Sequence, residues 1–588
     1  MSEKIQEQLS FEFETRKPIK GYPELRWTGK RPYKSTVYYP AQLKEVYGPE
    51  KDDWRNKIFW GDNLQVMSHL LKEYRGKIKF IYIDPPFDSK ADYKKKIRLK
   101  GQDIFNDQST FEEKQYGDIW TNDDYLQFMY ERIILCKELL SDDGCILVHC
   151  DYRRVAQLRL ILDEIFGSDV NSTFRNEIIW SYRTGGAPKD FSLARKHDNI
   201  LMYSKSNQFK ITKLKERQYL DKPFMGSKMD SQGRYFVDTI LRDVFEGVIN
   251  VVVNEHTEEL KEYNTRAVLN LSSERVDYPT QKPEGLLNLL MDFCCSKGDI
   301  VFDCFMGSGT TQAVAMKTGR KFIGADINLG AIQTTTKRLI NVAEELNSQI
   351  GNEDKYTEFE VYNVNNYDMF RNPIEARDLI LQALEVQPYE TSNVYDGEKD
   401  GRMIKVMPVN RIATKADLQG LISNLPYKSF EKRKEEDPNA VVLKLTLVCM
   451  GHESDLAAAL KQELSAYKVD IDVVDILHDR ADLQFKRDAE AKVVIENGEV
   501  VIKNFYPLNL MQKLSLDRET VDEWRQLVES VMIDFNYDGA VMQPSTIDIA
   551  DKNGMVAGRY KIPQDAGKIR IKITDVLSES LEVEVQNG

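Results

Sequence analysis

From Lys57 to Asp326 the chain alternates short apolar runs with stretches whose apolar residues return every three or four positions. These are the two periods expected of buried strands and amphipathic helices. Ile58-Phe59-Trp60 meets Gly61-Asp62-Asn63, after which Leu64, Met67, Leu70 and Leu71 mark one face of a helix. The run 78–83 reads as a strand and stops at Asp84-Pro85-Pro86-Phe87. The pattern then predicts a helix over 123–140, a buried strand over 145–149, a helix ending at 166, and strands at 177–182 and 199–204. Residues 299–304 and 321–326 are two further short strands flanking a helix. This alternation predicts an α/β fold, a mostly parallel sheet with helices on both faces.

The rhythm breaks elsewhere. Residues 1–55 carry few periodic signals and read as an N-terminal arm. Residues 205–277 are polar and irregular apart from 248–253, as expected of an insertion on a domain spanning 56–345. An acidic, Asn-rich passage at 354–368 and a second polar stretch at 391–400 predict a linker over 346–400. Residues 401–588 form an accessory C-terminal region, α/β and then β-rich. Strands at 441–448 and 469–477 bracket a helix at 455–467, and Glu496-Asn497-Gly498-Glu499 carries a hairpin signal.

Composition narrows the class. With 588 residues, 41% hydrophobic and 30% charged, the chain is long enough for several soluble domains. Its seven cysteines include no CxxC pair, so neither a disulfide framework nor a metal cluster is expected. No basic start followed by an apolar run opens the sequence, and no apolar stretch is long enough to span a bilayer. A cytoplasmic protein with no membrane partner is the expectation. The net charge of −13 is uneven: residues 1–350 hold 52 basic and 51 acidic residues, whereas 351–588 hold 29 and 43. Residues 1–100 alone hold 22 basic against 14 acidic residues. A polyanion is therefore expected at the N-terminal part, and protein partners at the acidic C-terminal part.

Two segments carry chemistry. Asp84-Pro85-Pro86-Phe87 follows a buried strand, and ligands of open α/β sheets sit at strand carboxyl ends. Consecutive prolines remove two N–H groups and stiffen the chain. A carboxylate beside uncommitted carbonyls suits an exocyclic amino group, with Phe87 as a stacking surface. Taken alone, the tetrapeptide reads equally as a proline turn. The second segment, Asp303-Cys304-Phe305-Met306-Gly307-Ser308-Gly309-Thr310, is a glycine-rich turn between strand and helix. It lacks the third glycine of a dinucleotide loop and the lysine of a phosphate loop. Asp326 ends the next strand, 17 residues after Gly309, where an acid can hold ribose hydroxyls. Together these indicate an adenosine-containing cofactor. No motif for ATP hydrolysis or metal-dependent cleavage accompanies them.

The segments Gly61-Asp62-Asn63-Leu64, Ile81-Tyr82-Ile83-Asp84-Pro85-Pro86-Phe87, 144–151, Lys196-His197-Asp198-Asn199-Ile200-Leu201, Tyr278-Pro279-Thr280-Gln281-Lys282-Pro283 and 303–310 occur in one order. In that order they resemble the amino-directed DNA methyltransferases of the permuted beta group, which use S-adenosylmethionine. The likeness extends to the modification subunit of type III restriction–modification systems. It spans roughly residues 25–345 and implies a Rossmann-like methyltransferase fold with circularly permuted motifs.

The resemblance also implies roles. Asp84 and the Pro85 carbonyl, with Pro86, would hold the target amino group, and Phe87 would stack on a base flipped from the duplex. Phe305, Gly307, Gly309, Thr310 and Lys282 would line the methionine part of the cofactor. Asp303 belongs to that loop, Asp326 would hold the ribose, and Asp62 with Asn63 would lie near the adenine. Asp rather than Ser at position 84 favours adenine N6 over cytosine N4. A cytosine-N4 enzyme and a catalytically silent DNA-recognition subunit are the alternatives. Most of the family has Tyr where this chain has Phe87, so a phenolic hydrogen bond there is not expected.

Sequence recognition would fall to 205–277, whose basic start, Lys205, Lys210, Lys213, Lys215 and Arg217, is suited to phosphates of double-stranded DNA. The basic, aromatic stretch 25–34 reads either as a solvated arm or as a nucleic-acid contact. His149 reads as a satisfied core histidine, and His197-Asp198 as a polar turn entering a strand. A restriction helicase–nuclease or other defence subunit, and a second copy in a homodimer, are the protein partners implied.

Overall fold

The computed structural model describes residues 10–13, 23–86, 95–99, 102–106, 122–167, 173–183, 193–254, 257, 259–269, 272, 274–276, 281–352, 354–364, 377, 380–381, 384, 386–389, 394–399, 401–408, 413–437, 441–449, 456–475, 489–507, 523–550, 554–576 and 580–586. It divides into two compact units. One comprises residues 1–364 together with 489–588, and the other residues 365–488.

The first unit is built on a ten-stranded sheet. In chain order its elements are β1 (Ala41–Tyr47), β2 (Asn56–Trp60), α1 (Asn63–Tyr74), β3 (Ile78–Ile83), α2 (Asn122–Leu139), β4 (Leu140–Cys150), α3 (Val155–Phe166), β5 (Phe174–Ser181), β6 (His197–Ser204), β7 (Val244–Glu246), α4 (Glu284–Cys294), β8 (Ile300–Asp303), α5 (Thr310–Lys317), β9 (Lys321–Asp326), α6 (Leu329–Asn347) and β10 (Phe359–Val364). The spatial order is β7-β5-β6-β4-β3-β8-β9-β2-β10-β1. The central pairs β4–β3, β3–β8, β8–β9, β9–β2 and β2–β10 are parallel. Strands 78–83 and 321–326 fall where the apolar runs place them. β3 buries every residue but Lys79, as a strand covered on both faces requires.

The sheet is less uniformly parallel than its pattern suggests. β6 runs antiparallel to both β4 and β5, and β1 antiparallel to β10.

Three domain boundaries also need correction. β1 lies in the expected arm and β10 in the expected linker, yet both complete the main sheet. They cover β2, which would otherwise present an open edge. Tyr47 stacks on Phe359 at 4.5 Å, and Glu360 of β10 pairs with Arg55 and Lys57. Those salt bridges account for the polar residues that made this strand look like a linker.

The second correction concerns 205–277, which is not irregular. Lys215–Leu220, Lys228–Met229, Tyr235–Ile240, Val248–Asn254 and Glu259–Asn264 form their own five-stranded antiparallel sheet. Its interior uses ion pairs where alternating hydrophobics were sought. Arg217 donates two hydrogen bonds to Asp238, at 2.8 and 2.9 Å, and lies 3.6 Å from the Phe236 ring centroid.

The third is that 401–588 is not one accessory region. Residues 365–488 form a separate unit in which Arg402–Val406, Leu443–Cys449 and Val469–Asp475 pair in parallel, with a helix at Leu456–Glu463. Residues 489–588 instead join the first unit. Lys572 forms an ion pair with Glu45, which also accepts a 2.7 Å bond from the Tyr47 hydroxyl. Lys337 on α6 reaches Glu529 at 2.8 Å. The hairpin signal is realised between Ala489–Glu496 and Glu499–Pro507, with Asn497 and Gly498 both at positive φ as a type I′ turn demands.

Candidate active site

β3 and β8 are hydrogen-bonded neighbours, with Phe80 opposite Val301 and Ile81 opposite Phe302. The chain leaves β3 towards β4 on one side and leaves β8 towards β9 on the other. This reversal opens a crevice at the carboxyl ends of the strands. Asp84-Pro85-Pro86 emerges on one wall and the 304–309 loop on the other.

The loop is held from behind by its own acids. Asp303, 3% exposed, accepts the Phe305 amide at 3.0 Å and the Thr311 hydroxyl at 2.6 Å. Burial pushes its carboxyl up to about 7. Asp326 accepts the Gly307 amide at 2.8 Å and the Asn328 amide at 2.9 Å, and burial pushes it up to about 6. Thr335 donates to the Gly307 carbonyl at 3.0 Å. The Arg338 guanidinium bonds the Ser308 carbonyl, the Thr310 hydroxyl and Glu284.

Across the sheet, Asp62 caps α1, accepting the Leu64 amide at 2.9 Å. Its second oxygen accepts a 2.8 Å bond from Arg132, whose guanidinium also donates to the Asn63 side chain. Asn63 in turn donates to the Cys304 carbonyl at 3.0 Å. Arg132 lies 3.4 Å from the Phe128 ring centroid, and Phe128 faces Phe305 with ring centroids 6.1 Å apart. The crevice thus offers carboxylates for hydroxyl and amino groups, flat aromatic faces, and the Lys282 ammonium for an anionic tail. That donor and acceptor set fits a nucleoside carrying an amino-acid carboxylate.

On the opposite wall, Asp84 forms an ion pair with Lys282 through one oxygen. Its other oxygen is buried with no hydrogen-bond partner among the described residues. Pro85 is buried and Pro86 half-buried, while Phe87 lies outside the described residues.

Other expected residues have different employment. The Lys205 ammonium donates to the Leu140 carbonyl at 2.6 Å, and Arg217 is buried against Asp238. These two side chains are therefore structural, which corrects their expected role as phosphate contacts; Lys210, Lys213 and Lys215 remain exposed. The Thr310 hydroxyl is engaged with the Lys282 carbonyl and with Arg338.

Asp198, taken as part of a polar turn, belongs to a buried chain. His149 sits between the Tyr82 hydroxyl (2.8 Å) and Asp198 (3.1 Å), and the Tyr182 hydroxyl donates to Asp198 at 3.0 Å. The His149 bond and the Lys282 charge are among the contacts that hold the Asp198 carboxyl below its usual range despite burial.

Arg132 and Arg338 escaped the sequence reading. A charge inside the apolar run Arg132-Ile133-Ile134-Leu135 was the available signal for the first.

The fold is Rossmann-like, with the glycine loop after β8 following the Asp84-Pro85-Pro86 segment in sequence. Residues 78–337 match the model of the N6/N4 DNA methylase family. The chain is similar to the type II methyltransferase M.EcaI of Enterobacter cloacae, 26% identical over 373 residues, covering 52% of this chain and 77% of that protein. It is 29% identical over 177 residues to the type III restriction-modification enzyme EcoP15I Mod subunit of Escherichia coli, covering 28% of this chain and 27% of that one. To the DNA adenine methyltransferase YhdJ of E. coli K12 it is 25% identical over 292 residues, covering 48% of this chain and 82% of that protein. No helix among the described residues is long and apolar enough to cross a membrane.

Proposed function

We propose that this chain methylates the N6 amino group of adenine in double-stranded DNA. S-Adenosylmethionine, the family's methyl donor, supplies an electrophilic methyl group when bound. The observation that carries the reading is Asp84, with one carboxylate oxygen buried and without a hydrogen-bond partner among the described residues, at the end of the strand that pairs with the one leading into the Gly307–Gly309 loop.

Asp84 and the Pro85 carbonyl accept the two amino hydrogens, which turns the nitrogen lone pair out of conjugation and aims it across the crevice. Orientation and local electrostatics then lower the barrier without a covalent intermediate. Asp326 accepts ribose hydroxyls, Asp62 flanks the adenine side, Phe305 lines the methionine part, and Lys282 takes the carboxylate. Exposed Lys210, Lys213 and Lys215 lead into the inserted sheet and suit backbone phosphates, leaving base edges to the sheet's side chains. Similarity to YhdJ and to a type III Mod subunit supports adenine as target and a restriction–modification context. A helicase–nuclease partner, a homodimer and a cytoplasmic location belong to the same reading.

The test is incubation with S-adenosylmethionine and genomic DNA, followed by nucleoside mass spectrometry and mapping of modified bases. N6-methyladenine at a defined sequence, lost with Asp84→Ala, is expected. N4-methylcytosine would overturn the adenine assignment. Cofactor binding without any modified DNA would overturn the activity.

A further inference from the structure

Lys282 combines a pinned backbone with a long side chain that reaches Asp84. Gln281, beside it, accepts the Val276 amide at 3.0 Å and donates to the Glu274 carbonyl at 2.7 Å. Pro283 caps α4, and the Lys282 carbonyl accepts a bond from the Thr310 hydroxyl at the start of α5. That last contact puts the Lys282 backbone beside the start of α5, while its ammonium reaches Asp84 at the end of β3. Two carboxylates face that ammonium, Asp84 by direct contact and Asp198 through the field that helps keep it ionised. The Lys282 side chain is 11% exposed and that of Asp84 is 19%, so the pair is largely shielded from water.

Asp84 therefore meets the target amino group only after surrendering an ion pair. Resting on the cofactor reading above, we propose that Lys282 is shared between the two substrate sites. It closes on Asp84 in the ligand-free protein and moves to the carboxylate of the bound cofactor, uncovering Asp84 for the target base. A four-carbon arm on a fixed backbone makes this exchange possible without moving either wall. The base pocket becomes competent only once the methyl donor is seated, which favours cofactor binding before productive capture of DNA.

The exchange is tested by titration calorimetry with S-adenosylhomocysteine and with 5′-methylthioadenosine, the same nucleoside thioether without the amino-acid end. Asp84→Asn removes this ion pair and should tighten S-adenosylhomocysteine roughly three- to tenfold while leaving methylthioadenosine unchanged. Lys282→Met should weaken S-adenosylhomocysteine only, and Asp84→Asn should add nothing in that background. Retained methylthioadenosine binding shows that each variant is folded. Unchanged or weaker S-adenosylhomocysteine binding in Asp84→Asn overturns the sharing, as does a gain that persists without Lys282. If the unaltered protein binds neither ligand, it is the cofactor reading that fails, and the sharing falls with it.

Discussion

Thr335 occupies the space that a side chain on Gly309 would need. Gly309 has φ of +69°, and a Cβ there would lie 2.5 Å from Thr335 Cγ2. Thr335 cannot simply retreat, because its hydroxyl holds the Gly307 carbonyl at 3.0 Å. Gly309→Ala should therefore cost about 2–4 kcal/mol of stability from backbone strain and collision together. Thr335→Ala, which removes both the methyl and the hydroxyl oxygen that lies 2.6 Å from the added Cβ, should restore part of that loss although it gives up the Gly307 bond. Thermal melts of the two single variants and the double variant check this; full additivity would show that the two residues do not interact.

Removing the Asp84 carboxylate should separate binding from chemistry. Asp84→Ala is expected to lower methyl-transfer kcat by at least about 10³-fold, since in the proposed reaction the group acts on the reacting nitrogen. S-Adenosylhomocysteine binding should persist. Single-turnover methylation alongside calorimetry gives both numbers, and a variant that methylates at the original rate would refute the assignment.

Arg132 should matter to the cofactor although it lies behind the site. It ties Asp62 to Asn63, and Asn63 to the Cys304 carbonyl of the loop. Arg132→Ala should weaken S-adenosylhomocysteine by about tenfold. Lys should not rescue it, because an ammonium cannot bridge two acceptors in one plane while stacking on Phe128. A full rescue by Lys would reduce its role to charge alone.

Cofactor affinity should depend on pH through Asp326. A carboxylate that accepts ribose hydroxyls binds best when ionised, and burial raises Asp326 to about 6. Protons then compete with the ligand, so affinity should fall as pH drops below about 6, approaching tenfold per pH unit. Asp326→Asn should bind more weakly at neutral pH and lose that acid limb. Titrations between pH 5 and 8, run with both proteins, read it directly.

The Lys572–Glu45 pair should hold the C-terminal sheets to the main domain. Both side chains are largely buried, at 12% and 9% exposure, and Lys572 is the leading influence that draws the Glu45 carboxyl below its usual range against desolvation. Lys572→Ala leaves an unpaired buried carboxylate and should cost about 3 kcal/mol at neutral pH. A folded-state value lower than the unfolded one means that the stabilisation exists above the unfolded carboxylate range and disappears as pH falls through the folded value. The gap in melting temperature between the two proteins should accordingly close in acid.

How legible each part was depended on whether its signal is local. The strand at 78–83, the glycine loop at 303–310 and the Asn497-Gly498 turn are dictated by residues adjacent in sequence, and each stands where it was read. β10 was not legible, because Glu360 suits an inner strand only once Arg55 and Lys57 arrive from some 300 residues away. The inserted sheet was missed for the same reason, since Arg217 becomes interior only against Asp238 and Phe236.

By itself, then, the sequence determined the α/β alternation and the two chemical segments, because periodicity and turn chemistry act within a few residues, and the order of those segments carried the family resemblance. Tertiary structure alone decided that residues 489–588 join the first unit, that Arg132 ties Asp62 to Asn63 behind the Cys304 carbonyl, and that Lys282 closes on Asp84. Those are pairings of charges far apart in the chain. A lone charged residue reads as solvated until its partner is brought within hydrogen-bonding distance.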